Sequence, residues 1–214
     1  MAIVNKSPLK NQIYDIIKGR IMNSEYQLGE KINIKTLSRE LGVSTTPIRD
    51  ALTLLEKESL VTINPYAGPQ VVQLNSTIFR ETFDAVLILL LGGYEYCLNR
   101  DRIPILTALL SESMDAQKAV ADTGSNRVFA EATIAVDTAL MTACNNMHLM
   151  DIYNGTFALQ TLLLIHDYQT HDYDRWANIR EHEMILNAIS ITVGVLGNAG
   201  WKSVSRNSKK SDQK

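Results

Sequence analysis

Cysteine and proline are scarce in this sequence, two and five residues among 214, glycine reaches only 11, and aromatic residues make up 7%. So little glycine and proline excludes a collagen-like chain, and 45% apolar residues excludes a disordered one. Cys97 and Cys144 lie far apart in the sequence and fit neither a CxxC nor a zinc-ligand spacing. No disulfide framework or structural zinc is expected, and both thiols are expected free, as in a cytoplasmic protein. Long apolar runs are also missing. The most apolar one, Ala85 to Leu91, ends at Gly92 and Gly93 after seven residues, where a bilayer needs about 20. It predicts a buried helix and no membrane span. The opening MAIVNKSPLK has no apolar signal core. Nothing resembles a nucleophile elbow, a P-loop, a dinucleotide fingerprint or an HExxH zinc site, so no enzyme is expected.

The formal net charge of −2 conceals an uneven distribution. Residues 1–75 hold nine Lys/Arg against seven Asp/Glu, residues 76–201 hold seven against fifteen, and residues 202–214 hold five against one. An acidic bulk thus masks a mildly basic amino-terminal part and a basic tail, whose composition predicts disorder. The punctuation changes at the same place. Up to residue 75, short amphipathic segments are broken at Leu28-Gly29-Glu30, Leu41-Gly42-Val43 and the Pro/Gly turn from Asn64 to Pro69. Ile13, Ile16, Ile17 and Ile21 form one predicted helical stripe, and Lys35 to Leu41 a second, short helix. A third is expected from Ser44 to about Ser59, with the Ser44 hydroxyl as cap and Pro47 in the first turn. Ile48, Ala51, Leu52 and Leu55 make its apolar face, leaving Thr45, Thr46, Arg49 and Thr53 outward. Leu60–Ile63 and Gln70–Leu74 are β-prone runs around a turn. Three helices and a β-hairpin spell a winged helix-turn-helix over residues 1–75. Beyond it, helical periods over 76–99, 103–121, 126–143, 147–169, 173–190 and 193–205 predict an antiparallel bundle filling 76–201. The fold class expected is mostly α.

The stretch from Leu9 to Leu74, with its Gly29 turn, LSRELGVSTTPIRDAL helix pair and ESLV…AGPQVV wing, resembles the GntR family of bacterial transcription regulators. The segment from Arg180 to Ile189 is similar to the "E-H-x-x-I-L-x-A-I" segment of that family's FadR-type ligand-sensing (FCD) domain. The resemblance implies a homodimer that binds double-stranded operator DNA and responds to a small-molecule effector. A two-fold dimer also fits the geometry, since one winged helix reads only a few base pairs. It implies a DNA-contact surface that includes Ser44, with Thr45, Thr46 and Arg49 at base edges and Lys35, Arg39 and the wing from Tyr66 to Gly68 on phosphates. Two departures stand out: Thr45 replaces the usual Arg after Ser44, and Ala67-Gly68 replaces the wing's Arg-Gly. Each lost guanidinium removes a two-pronged guanine contact or a phosphate contact.

In the helical domain, the resemblance places an effector pocket at Val86, Leu90, Thr133, Asp137 and His182. Relatives often carry an Arg and a Glu at the first two positions and bind a divalent ion with one Asp and three His. Here the four ligand positions fall on Thr133, Asp137, His182 and Val204, so no metal or other cofactor is expected unless a shifted helix recruits His148 or His166. The Val86, Leu87, Leu89, Leu90, Leu91 cluster reads as core packing unless a cavity interrupts it. Asp137 either partners His182, partners a donor on a ligand, or points to solvent. His182 is either a hydrogen-bonded core residue or part of the pocket, while His166 and His171 are expected on the surface. Without a cation or metal on its walls, the pocket favours an effector that is not strongly anionic. The rival reading is a diverged member that binds a small molecule, or acts as an enzyme, without specific operator binding.

Overall fold

A computed structural model describes residues 8–198 of the chain. Val204, the predicted tail at 202–214 and the end of the last predicted helix lie outside the described residues. Three helices come first: α1 (Leu9–Met22), α2 (Ile34–Leu41) and α3 (Thr45–Lys57). In α1 the buried stripe is Ile13, Ile17 and Ile21, joined by Met22, while Ile16 is 39% exposed. Ile16 sits one step off the i, i+4, i+8 line that faces α3, so the expected four-residue stripe is narrower than predicted.

The turn between α2 and α3 is closed locally. Gly42 takes a left-handed φ of 65° and donates its N–H to Ser38 O, while the Ser38 hydroxyl donates to Val43 O at 2.6 Å. Ser44 occupies the cap position of α3 in extended backbone, yet its hydroxyl makes no capping bond, contrary to expectation. The helix is held instead by its buried Ile48, Ala51, Leu52 and Leu55.

The wing consists of β1 (Val61–Asn64) and β2 (Gly68–Val71), antiparallel with Val61 opposite Val71 and Asn64 opposite Gly68. β2 stops three residues before the predicted Leu74. Its outer edge is taken by the segment before α2, where Ile32 N donates to Pro69 O at 2.9 Å and Val71 N to Glu30 O at 2.9 Å. Gly29 supplies the left-handed φ of 77° in this segment, a conformation that is strained for other residues.

The bundle comprises α4 (Ser76–Leu98), α5 (Ile103–Val120), α6 (Asn126–Cys144), α7 (Met147–Thr170) and α8 (Arg175–Asn198). Asn75, Ser125 and Asn146 cap α4, α6 and α7 by accepting from backbone N–H groups three residues on. The break expected at Ser190 to Thr192 does not occur, so five helices stand among the described residues where six were predicted. Ser and Thr lower helix propensity by tenths of a kcal/mol only, and no proline or left-handed residue stops the helix there.

Two buried clusters fill the molecule. One joins Ile13, Ile17, Leu37, Leu52 and Val71 of the winged helix to Phe129, Ala158, Leu162, Ile165 and Ile179 of the bundle. The other lies within the bundle, around Leu106, Ile134, Met141 and Tyr153. Packing is therefore continuous across the composition change at residue 75. Inside the second cluster α6 passes close to α4, bringing Cys97 Sγ and Cys144 Sγ to 3.7 Å as buried free thiols. Burial and the neighbouring thiol push the Cys97 pKa up, which leaves it unreactive. Among the described residues no helix is long and apolar enough to cross a membrane.

Candidate functional site

Two surfaces carry chemistry, one on the winged helix and one in the bundle. Because α3 buries Ile48, Ala51, Leu52 and Leu55, its opposite side must face out, and Thr46, Arg49 and Thr53 are exposed with Thr45 half-buried at the first turn. Ser44 is exposed beside them. Lys35 and Arg39 are exposed on α2, and no intramolecular ion pair holds Lys35, Arg39 or Arg49 among the described residues. At the wing tip the Asn64 side chain accepts from Tyr66 N at 2.8 Å and Ala67 N at 3.1 Å, and Gly68 supplies a φ of 84°. Tyr66 stands fully exposed, at 100%. The predicted DNA-contact residues thus lie on exposed parts of α2, α3 and the wing, with their cations uncommitted.

The bundle holds a cavity of about 380 Å³ between α4, α5, α6 and α8. Leu87, Leu90, Leu91 and Tyr94 line it from α4, Leu110 from α5, Val136, Asp137 and Leu140 from α6, and His182, Ile185, Ala188 and Ile189 from α8. Of the five residues expected in a pocket, Leu90, Asp137 and His182 meet on its wall. Val86 does not: it is packed in the core on another side of α4. Nor does Thr133, whose hydroxyl donates to Phe129 O at 2.9 Å and accepts from Gln117 Nε2 at 3.0 Å.

That network fixes the state of His182. Gln117 spends both amide hydrogens, on Thr133 Oγ1 and on Asn178 Oδ1 at 2.8 Å, so its Oε1 is the atom facing His182 Nδ1 at 2.9 Å. His182 therefore carries its proton on Nδ1 and offers Nε2 as an acceptor. Burial lowers its pKa and keeps the ring neutral. Asp137 differs: no hydrogen bond or ion pair reaches its carboxyl among the described residues, and burial pushes its pKa up to about 7. Of the alternatives open for Asp137, pairing with His182 is not found. No Lys or Arg lines the cavity.

Among the described residues no three His, Cys, Asp or Glu side chains converge, and the Thr133 hydroxyl is tied to Phe129 O, so these positions offer a metal at most Asp137 and His182 Nε2. His148 and His171 are exposed, while His166, expected on the surface, is partly buried in a crevice with Ile21, Tyr26 and Leu28 of the winged helix.

Gln117 and Asn178 were not anticipated from sequence, although Gln117 breaks an apolar series at Leu106, Leu110 and Met114, a detectable signal. Leu87, Leu91 and Tyr94 share a helical face with Leu90, but nothing in their spacing separates a cavity wall from core.

Comparison with known proteins gives two family-model matches along the chain. Residues 9–71 match the model of "Bacterial regulatory proteins, gntR family", and residues 100–190 match that of the FCD domain. The chain is 25% identical over 183 residues, covering 86% of it and 81% of the relative, to the "Uncharacterized HTH-type transcriptional regulator YdhC" of Bacillus subtilis. It is 26% identical over 153 residues to the "Probable D-xylose utilization operon transcriptional repressor" of Paenarthrobacter nicotinovorans, covering 71% of this chain and 66% of the other. The solved structure of Escherichia coli McbR/YncC shares the fold, with a TM-score of 0.59, 16% identity, and coverage of 95% of this chain and 96% of that one.

Proposed function

The chain belongs to the gntR family of bacterial regulatory proteins, with an FCD domain behind its winged helix, and from that premise we propose how it reads DNA and what moves it. It is a DNA-binding transcription regulator whose helical domain takes a small-molecule effector. The operator contacts are Thr45, Thr46 and Arg49 at base edges, approached through the first turn of α3 and its Ser44, with Lys35, Arg39 and the wing from Tyr66 to Gly68 on the phosphates. Base contacts specify the site and phosphate contacts position the protein. The observation that carries this reading is the exposed outer side of α3, whose Arg49 guanidinium has no ion-pair partner among the described residues.

The protein works as a homodimer on a near-palindromic operator, because half-sites spaced along one duplex face need two reading helices. Large apolar side chains left exposed on α4 and α8, Ile88 at 70% and Met184 at 71% among them, suit a surface that is covered by a second copy. It acts in the cytoplasm, where its operator is, and catalyses no reaction. The effector enters the cavity between α4, α5, α6 and α8, with Leu90, Asp137 and His182 on its wall, and shifts operator affinity only as far as it prefers one arrangement of the dimer. It is not strongly anionic, since the cavity offers no cation.

A fluorescence titration of the purified protein on its own upstream promoter DNA tests the reading. Sequence-dependent binding that survives competitor DNA is expected. Binding no tighter than to random duplex would instead favour a diverged member that keeps the fold without operator recognition.

A further inference from the structure

We infer that the effector is an amphipathic organic cation, an apolar body bearing one ammonium group, with Asp137 as its counter-ion. The inference rests on the reading of the α4–α8 cavity as the effector site and narrows the chemistry of what enters it. Its starting point is the polar inventory of the wall. Apart from the Tyr94 hydroxyl, the cavity presents two polar side chains, Asp137 and His182. The hydrogen-bond network from Thr133 and Asn178 through Gln117 fixes the His182 proton on Nδ1 and leaves Nε2 accepting. Asp137 supplies carboxyl oxygens with no partner among the described residues. Once ionised, the Asp137 carboxyl is an acceptor only, as is His182 Nε2, and in that state neither group holds an anionic ligand.

The walls sharpen the choice between neutral and charged donors. Leu87, Leu90, Leu110, Val136, Leu140 and Ile189 line the same cavity as the carboxyl with hydrocarbon. A buried carboxylate without a partner is strongly disfavoured, and burial accordingly pushes its pKa up to about 7. A hydroxyl on a ligand satisfies one lone pair and leaves the charge uncompensated. An ammonium satisfies the lone pair and cancels the charge, while the apolar body fills the remaining volume of about 380 Å³. No lysine or arginine of the wall competes for the carboxylate.

Three probes of one shape test this: phenylbutylamine, phenylbutanol and phenylbutanoate, titrated calorimetrically into the full chain near neutral pH. The amine is expected to bind at least about tenfold more tightly than the alcohol and the acid, the margin of one charge-assisted hydrogen bond. In Asp137→Asn the amine is expected to fall to the level of the alcohol. Asp137→Leu, which removes the polar group altogether, provides the same comparison should the amide variant misfold. Phenylbutanoate binding as tightly as the amine, an amine preference that survives in both variants, or binding of none of the three would overturn the inference. Operator affinity measured with each probe separates this from the regulatory reading. Asp137-dependent amine binding that leaves operator affinity unchanged upholds the ligand class and removes the regulatory role. Operator release by the alcohol or the acid, but not by the amine, does the reverse.

Discussion

Arg49 projects from the outer face of α3 without an intramolecular partner among the described residues, so removing it perturbs recognition and little else. Arg49→Ala is expected to weaken operator binding by about 1–3 kcal/mol and to leave the melting temperature unchanged. Equal affinity in the same salt would take Arg49 out of the interface. Asp137 makes a prediction about stability. Its carboxyl, pushed up to about 7 by burial, keeps a proton in the folded protein that the unfolded chain releases near the ordinary value of about 4. The stability it contributes is fully present below the unfolded value and is lost as pH rises to about 7. Tyr94 on α4, Tyr153 on α7 and His182 on α8 are the titratable groups around it, and α5 presents Leu110. Asp137→Asn cannot ionise. It should gain about 1–3 kcal/mol on wild type between about pH 4 and pH 8, a range reduced for the solvent that the open cavity admits. His182 runs the other way: its lowered pKa makes the unfolded chain take up a proton first, so its share of stability falls on acidification through the ordinary histidine range. Urea unfolding across that pH range reads both residues, and an Asp137→Asn variant that tracks wild type throughout would show the carboxyl to be fully solvated.

At the scale of elements, the site depends on how α5, α6 and α8 are fastened. Arg175, at the start of α8, donates to Ala121 O at 2.9 Å, Gly124 O at 2.7 Å and Asn126 Oδ1 at 2.7 Å, with its guanidinium 5.0 Å from the centre of the Phe129 ring. It ties the α5–α6 turn to the helix that carries His182. Arg175→Ala should cost about 1–3 kcal/mol, and Arg175→Lys should recover only part of it, because an ammonium cannot span three spread acceptors. A thermal melt of the two variants decides, and a lysine variant as stable as wild type would reduce Arg175 to a simple charge. A metal site is also an assembly of elements, and among the described residues α6 and α8 bring Asp137 and His182 to one cavity with no third ligand. Protein purified without an affinity tag should therefore retain no equivalent of zinc or nickel after dialysis. One equivalent, lost in His182→Ala, would revive a metal-dependent pocket. How much of these elements is legible from residues alone follows from what each signal measures. The winged helix is legible because Gly29, Gly42 and the Asn64–Pro69 turn are local punctuation with one backbone meaning. The bundle's helices are legible from their helical period, and the caps at Asn75, Ser125 and Asn146 are seen only in the structure. The missing break at Ser190 to Thr192 shows the limit, since weak helix formers without a stop signal do not end a helix that packing supports. The cavity was only half legible. Asp137 stands among apolar residues, but His182 lies in the charged run Arg180-Glu181-His182-Glu183 and is marked only by the family resemblance, and whether Leu87 and Leu91 touch core or line an open cavity depends on helix separation, which periodicity does not encode.

At the scale of the whole molecule, α6 and α7 belong to both buried clusters. On α6, Phe129 and Ala130 belong to the cluster shared with the winged helix while Ile134 and Met141 belong to that of the bundle, with Asp137 between the latter two in sequence; on α7, Leu162 and Ile165 face the winged helix and Tyr153 the bundle. A ligand at Asp137 therefore pushes on helices whose other ends hold the DNA-binding part, and linkage requires that the operator change ligand affinity by the same factor as the ligand changes operator affinity. Leu162, 4% exposed at the junction, is the place to interrupt this. Leu162→Ala should lower stability by about 2–4 kcal/mol, as large-to-small core changes do. Operator and phenylbutylamine should each still bind the variant alone, because neither surface includes Leu162. What should shrink is the factor relating them, measured by titrating the operator with and without saturating amine and the amine with and without operator. Agreement of the two factors in wild type, and their joint collapse toward unity in the variant, is the expected result. An undiminished factor in Leu162→Ala would move the coupling out of the α7 junction and into contacts between the two protomers, since a rigid junction is then not what converts ligand binding into a change in the spacing of the reading helices.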